Sequence, residues 1–260
     1  MTKKVRTIHL NNRIIITAYT APSIPADKLR CRHKGGHSSL AQKKYNRKKS
    51  LERIVYKAIN SFTKGCFHII YTYNDDSLPA DADTAYRDLV NAFRGTIRLY
   101  KKHDISCPYI GSVEHGDKKG RLHCHALFPY TRDLDIEEIK SKWKKGTVLV
   151  FYIPVSMIEA KVMYVLKEPV KKIISKSFNM PKEEVKDITE TEFKELINNP
   201  LSVEDQIPGF VVSGIEEFNS ICSIAGFHKI RIQLREVTSD NYANKLVFCR
   251  KEWELPLNTA

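Results

Sequence analysis

His123-Cys124-His125 is the densest chemical signal in the chain. The run LHCHALF (122–128) alternates as a strand does. A period of two sends both imidazoles to one face and Cys124, Ala126 and Phe128 to the other. Two imidazoles at i and i+2 can share one divalent ion. Glu114 offers a carboxylate from the preceding strand-like run PYIGSVE (108–114), across the turn-rich link His115-Gly116-Asp117-Lys118-Lys119-Gly120-Arg121. Antiparallel pairing across that link completes a His/His/Glu site. Nitrogen and oxygen ligands with positions left open suit Mg²⁺ or Mn²⁺. His115 competes as third ligand, but strand neighbours face opposite ways, so one of the two points in, and Glu114 is favoured. A HIT-type phosphohydrolase needs a further histidine two positions on, where this chain has Leu127.

Tyr164 and Lys167 are spaced i, i+3 on an expected helix and would share a face. A phenol with a pKa near 10 is roughly 0.1% ionised at neutral pH. A nucleophilic tyrosine therefore needs a metal field or a nearby cation, and Lys167 lies one turn away. Spacing alone leaves the alternative that Tyr164 is a core residue of an amphipathic helix. Cys31, His33 and His37 also cluster, without a fourth ligand at a recognised spacing.

These residues need elements to hold them. Residues 5–19 alternate around Asn11-Asn12, a candidate hairpin turn. Residues 21–38 read as a loop, and 40–61 as a helix. CFHIIYTY (66–73) reads as a buried strand ended by Asn74-Asp75-Asp76. Residues 82–102 form the next helix, with Leu89, Val90, Phe93, Ile97 and Tyr100 on one face. A short helix at 135–144 and a strand at 147–153 follow. A helix then begins at Ser156 as N-cap and runs through Tyr164 and Lys167 to Glu168-Pro169. Residues 181–199 read as helical and 214–225 as a helix ending at Gly226, with strands at 228–237 and 244–250. The expectation is an α+β fold, a central, mostly antiparallel sheet with flanking helices.

The chain has 260 residues and a net charge of +13. Residues 1–64 hold 16 Lys/Arg against Asp27 and Glu52, so the excess positive charge sits in the first quarter. Such a block suits a polyphosphate partner, because each neutralised phosphate releases counterions. The bland alternative is a solvated tail. Leu51, Ile54, Val55, Ala58 and Ile59 give the end of the block a helical apolar stripe. A basic amphipathic helix carrying Lys43, Lys44, Arg47, Lys48 and Lys49 is therefore the expected DNA-facing element. Six scattered cysteines without a CxxC pair suit reduced thiols in a cytoplasm, and neither a secretory signal nor a membrane partner is expected. No GxxxxGK[ST] occurs, so no fused P-loop helicase is expected.

The chain resembles the His-hydrophobe-His (HUH) endonuclease replication initiators, especially those of small single-stranded DNA phages and rolling-circle plasmids. FHIIYTYNDDSLP (67–79) resembles their first motif, a hydrophobic strand ending in a Thr-Tyr-Asp/Asn-Asp turn followed by Leu-Pro. GSVEHGDKKGRLHCHALF (111–128) resembles the second, and AKVMYVLKEPVKK (160–172) the third, a helix bearing Tyr-x-x-Lys. Gly111-Ser112-Val113 departs from the pattern, since many relatives place glycine directly before the glutamate.

The resemblance implies the HUH/RRM-like endonuclease fold. It makes His123, His125 and Glu114 the metal ligands, Tyr164 the nucleophile and Lys167 its assistant. It also implies a single-tyrosine enzyme that nicks and rejoins single-stranded or hairpin origin DNA through a 5′-phosphotyrosine. A host or separately encoded helicase and polymerase would serve it in the host cytoplasm. The implied domains are a basic DNA-binding extension at 1–61, an endonuclease core at 62–176, and C-terminal elements at 177–260 packed on the core. Alternatives are a single-tyrosine transposase, a relaxase, or a non-catalytic DNA-binding regulator on the same fold. Glu, His-x-His, then Tyr-x-x-Lys is the order of initiators; relaxases typically place the tyrosine before the histidines.

Overall fold

The computed structural model describes residues 2–11, 13–21, 40–116, 120–199, 210–219 and 228–236. The fold is α+β, with two antiparallel five-stranded sheets and helices against them. Two compact units share the chain: residues 1–37 with 181–260, and residues 38–180. The helix expected as part of a separate basic extension thus lies in the second unit. The loop cluster Cys31, His33 and His37 lies outside the described residues, as does the expected strand at 244–250.

The first unit opens with β1 (Thr2–Leu10) and β2 (Arg13–Ala21), which pair from Thr2↔Ala21 to Leu10↔Arg13, leaving two residues for the connection. The chain then builds the second unit: α1 (Leu40–Ser61), β3 (Cys66–Tyr71), α2 (Ala82–Lys102), β4 (Ile110–His115), β5 (Leu122–Pro129), α3 (Ile136–Lys140), β6 (Val148–Ile153), α4 (Ile158–Val165) and β7 (Lys171–Ile174). It returns to the first with β8 (Lys182–Ile188), α5 (Glu190–Asn198), β9 (Phe210–Asn219) and β10 (His228–Glu236).

Two expected helices are corrected here. Of residues 181–199 only α5 is helical, opened by a capping box between Thr189 and Glu192. Lys182–Ile188 is a strand because β1 presents an edge of opposite charge to it. Arg6 pairs with Glu183 at 2.7 Å and Lys4 with Asp187 at 3.0 Å. Cross-strand pairs of this kind offset a weak strand propensity. Residues 210–219, expected to start a helix at 214, form β9 instead and pair with β10 along their length. Residues 220–225 lie outside the described residues.

The second unit carries the site. Its sheet runs β6-β3-β5-β4-β7, every neighbour antiparallel. Asp81 caps α2 by accepting from the Thr84 amide. That helix buries Ala85, Leu89, Ala92, Phe93, Thr96, Leu99 and Tyr100 in a core with Phe67, Ile69, Tyr71, Val113, Cys124, Ala126 and Phe128. Each large apolar side chain buried there contributes about 1.5–3 kcal/mol. At Gly111 a Cβ would come within 2.5 Å of the Phe93 ring. Glycine three residues before Glu114 thus lets α2 press on β4, a reason for the sequence departure noted there.

The expected helix from Ser156 to Glu168 is shorter than anticipated. Residues Val155–Met157 form a 3₁₀ turn, and α4 ends at Val165. Pro169 is the cause, since its ring would clash with the Val165 carbonyl four residues back. The chain then turns, donates from the Val170 amide to the Val113 carbonyl, and enters β7, a strand the sequence patterns do not announce.

Candidate metal and nucleophile site

In the β4–β5 pairing Glu114 stands opposite His123 and Ser112 opposite His125. Alternation therefore puts Ser112, Glu114, His123 and His125 on the face away from α2. Glu114 Oε1 lies 2.9 Å from His123 Nε2 and 2.5 Å from His125 Nε2. The three side chains bring their ligand atoms within 4.8 Å of one another, a group that could hold a metal ion. His115, the alternative ligand, turns the other way, with Nδ1 3.0 Å from the Gly120 carbonyl oxygen. His125 is 1% exposed. Burial lowers its pKa, against the opposing pull of the Glu114 carboxylate. A neutral imidazole is the form that offers a lone pair, so the donor set suits a divalent cation.

His68, absent from the sequence-based site, lies behind His125. Its Nε2 is 3.0 Å from His125 Nδ1, and the two rings stack with centroids 5.2 Å apart. Burial first, then the charges of His125 and Lys161, push the His68 pKa down to about 3. His68 is thus neutral and can accept the His125 Nδ1 proton, leaving His125 Nε2 to face Glu114. A ligand histidine is generally held this way through its second nitrogen. The signal in the sequence was a lone histidine in the apolar run CFHIIY. Recognising it required knowing that β3 lies beside β5.

Tyr164 stands over both inner histidines. Its ring centroid is 5.6 Å from that of His125 and 6.2 Å from that of His68, near-perpendicular to each. The residue is 51% exposed, which disposes of the core alternative. Lys161 Nζ sits 4.9 Å from the Tyr164 ring centroid. Lys167 lies beyond the end of α4 and is exposed. Its carbonyl accepts a hydrogen bond from the Arg47 guanidinium. The structure thus brings Glu114, His123, His125 and Tyr164 together, whereas the cation over the phenol ring is Lys161.

Helix α1 buries Ile54, Val55, Tyr56, Ala58 and Ile59 and packs on α4. Its first half carries the basic residues. Lys43, Lys44, Arg47 and Lys48 are exposed, while Lys49 is half-buried and paired with Glu52 at 2.9 Å. Arg121, from the link before the histidines, binds Asp75 at 2.7 Å and donates to the Tyr73 carbonyl at 2.9 Å. That clamp joins the turn after β3 to the start of β5, so the first two sequence motifs brace each other.

No helix among the described residues is long and apolar enough to cross a membrane. No curated protein and no solved structure matches the chain. Residues 67–173, which run from β3 to β7 and contain Glu114, His123, His125, Tyr164, Lys161 and His68, match the family described as replication-associated protein ORF2, and that match supports a replication-initiation role.

Proposed function

We propose that this protein is a rolling-circle replication initiator that nicks and rejoins single-stranded origin DNA through a 5′-phosphotyrosine on Tyr164. The observation that carries the reading is the seat of Tyr164, half-exposed and 5.6 Å from the ring of a histidine whose Nε2 faces Glu114 and His123. Glu114, His123 and His125 would hold Mg²⁺ or Mn²⁺, which when bound supplies Lewis-acid polarisation of the scissile phosphate. Tyr164 Oη forms a bond to phosphorus as the P–O3′ bond breaks, and the phenol proton ends on the released 3′-hydroxyl. That hydroxyl is free for a polymerase to extend. In the return step a 3′-hydroxyl attacks the phosphotyrosine, and the proton goes back to Tyr164. Lys167, exposed just past the helix, adds positive charge on the outer side of the strand.

Incubation of the protein with a single-stranded hairpin oligonucleotide and Mn²⁺ tests the reading. Strand cleavage with protein retained on the 5′ end is expected. Binding without cleavage at any divalent metal would leave a non-catalytic DNA-binding regulator as the answer.

Lys43, Lys44, Arg47, Lys48 and Lys49 are proposed to hold the DNA backbone. Neutralising all five should weaken binding similarly across sequences and flatten the salt dependence by up to about 0.9 log units per lost phosphate contact on duplex DNA. Lys43 and Lys44 should carry most of this, because Lys49 already pairs with Glu52 and Arg47 with the Lys167 carbonyl. An unchanged slope in a salt titration would make the block a solvated face.

A further inference from the structure

We propose that Lys161, one turn before Tyr164, is the ammonium that meets the reacting phosphate at the nucleophile. This deepens the tyrosine reading above and rests on it. Residues 161 and 164 are i, i+3 within α4, so their side chains share a face of a regular helix. Lys167 has no such relation, because the helix stops at Val165. The Lys161 ammonium lies 4.9 Å from the Tyr164 ring centroid, within the range of a cation–π contact. Its charge also reaches both inner histidines, lowering the pKa of His68 and of His125. Cys66, on the same face of β3 as His68, feels it too. The ammonium therefore stands on the site face of the sheet, beside the nucleophile and the ligand set.

Lys161 is half-buried, and no carboxylate pairs with it among the described residues. A partly desolvated cation without a counter-ion interacts with an incoming anion more strongly than an exposed one. The phosphate of a DNA strand lying on Tyr164 is an anion of that kind, and an ammonium offers it three donors. Charge that grows on the phosphoryl oxygens as Tyr164 attacks would be met by a group already in place. Lys161 and Lys167 then divide the work, one inside the site and one on its outer edge.

The test separates charge from packing. Lys161→Met keeps an unbranched stem over the ring and removes the charge, while Lys161→Arg keeps the charge. Rates of covalent adduct formation are measured in single turnover on a hairpin oligonucleotide with Mn²⁺. Lys161→Met is expected to slow adduct formation about 100-fold, the scale of losing one preorganised donor. Lys161→Arg is expected to recover all but roughly tenfold of the rate, the remainder reflecting the different shape of the guanidinium. Lys167→Met should cost less than Lys161→Met. A Lys161→Met protein at the wild-type rate, or Met and Arg variants equally slow, would overturn the assignment of Lys161 while Tyr164→Phe still lacked an adduct. An adduct that persists in Tyr164→Phe would overturn the tyrosine reading, and this proposal with it.

Discussion

Tyr164→Phe is expected to form no covalent adduct with single-stranded DNA while keeping its fold and its affinity for DNA. The substitution removes one oxygen from a half-exposed side chain, so stability should change by no more than about 0.5 kcal/mol. At this chain length that is a shift of roughly 2 °C or less in Tm. In the wild type, peptide mapping of the denaturation-resistant adduct should place it on Tyr164. The competing phenols nearby are poorly suited to attack. Tyr71 and Tyr73 are buried among the core residues under α2, and burial pushes both phenols up. Tyr152 projects to the face opposite His68 and donates to the Lys64 carbonyl. An adduct mapped to any of those three would show that the nucleophile has been misassigned.

Loss of the metal site should be as severe. His123→Ala or His125→Ala is expected to abolish cleavage, as is EDTA, with binding of duplex DNA through α1 largely retained. The two variants should differ in stability. His123 is partly exposed, and its loss should cost little. His125 is fully buried, and its removal leaves His68 Nε2 without a partner, a penalty of about 1–3 kcal/mol. His123→Ala is therefore the cleaner test. His68→Ala should leave the three ligands in place and weaken Mn²⁺ binding about 10–100-fold, read by calorimetry on the folded protein. Cleavage that survives in EDTA, or in both ligand variants, would remove the metal from the reaction.

Both expectations draw on features that differ in how far local pattern could reveal them. The period-two spacing of His123 and His125, the carboxylate across a short link and the apolar stripe of α1 are local properties. Local rules place them correctly because a strand alternates and a helix repeats whatever surrounds it. The same rules mislead where a neighbour overrides them. Lys182–Ile188 and 210–219 read as helical in isolation, yet each became a strand because another strand offered its ladder and, for β8, opposite charges.

By itself, then, the sequence determined which face His123, His125 and Glu114 share, that α1 is basic at one end and apolar at the other, and that the helix bearing Tyr164 must stop near Pro169. Tertiary structure decided the rest: that Glu114 and not His115 meets the histidines, that His68 backs His125 across β3 and β5, and that Lys161 stands over the Tyr164 ring. The physical reason is that backbone periodicity is encoded within a few residues. Contact between side chains far apart along the chain depends instead on strand order and on where a helix lies across the sheet, and no spacing in the sequence records either.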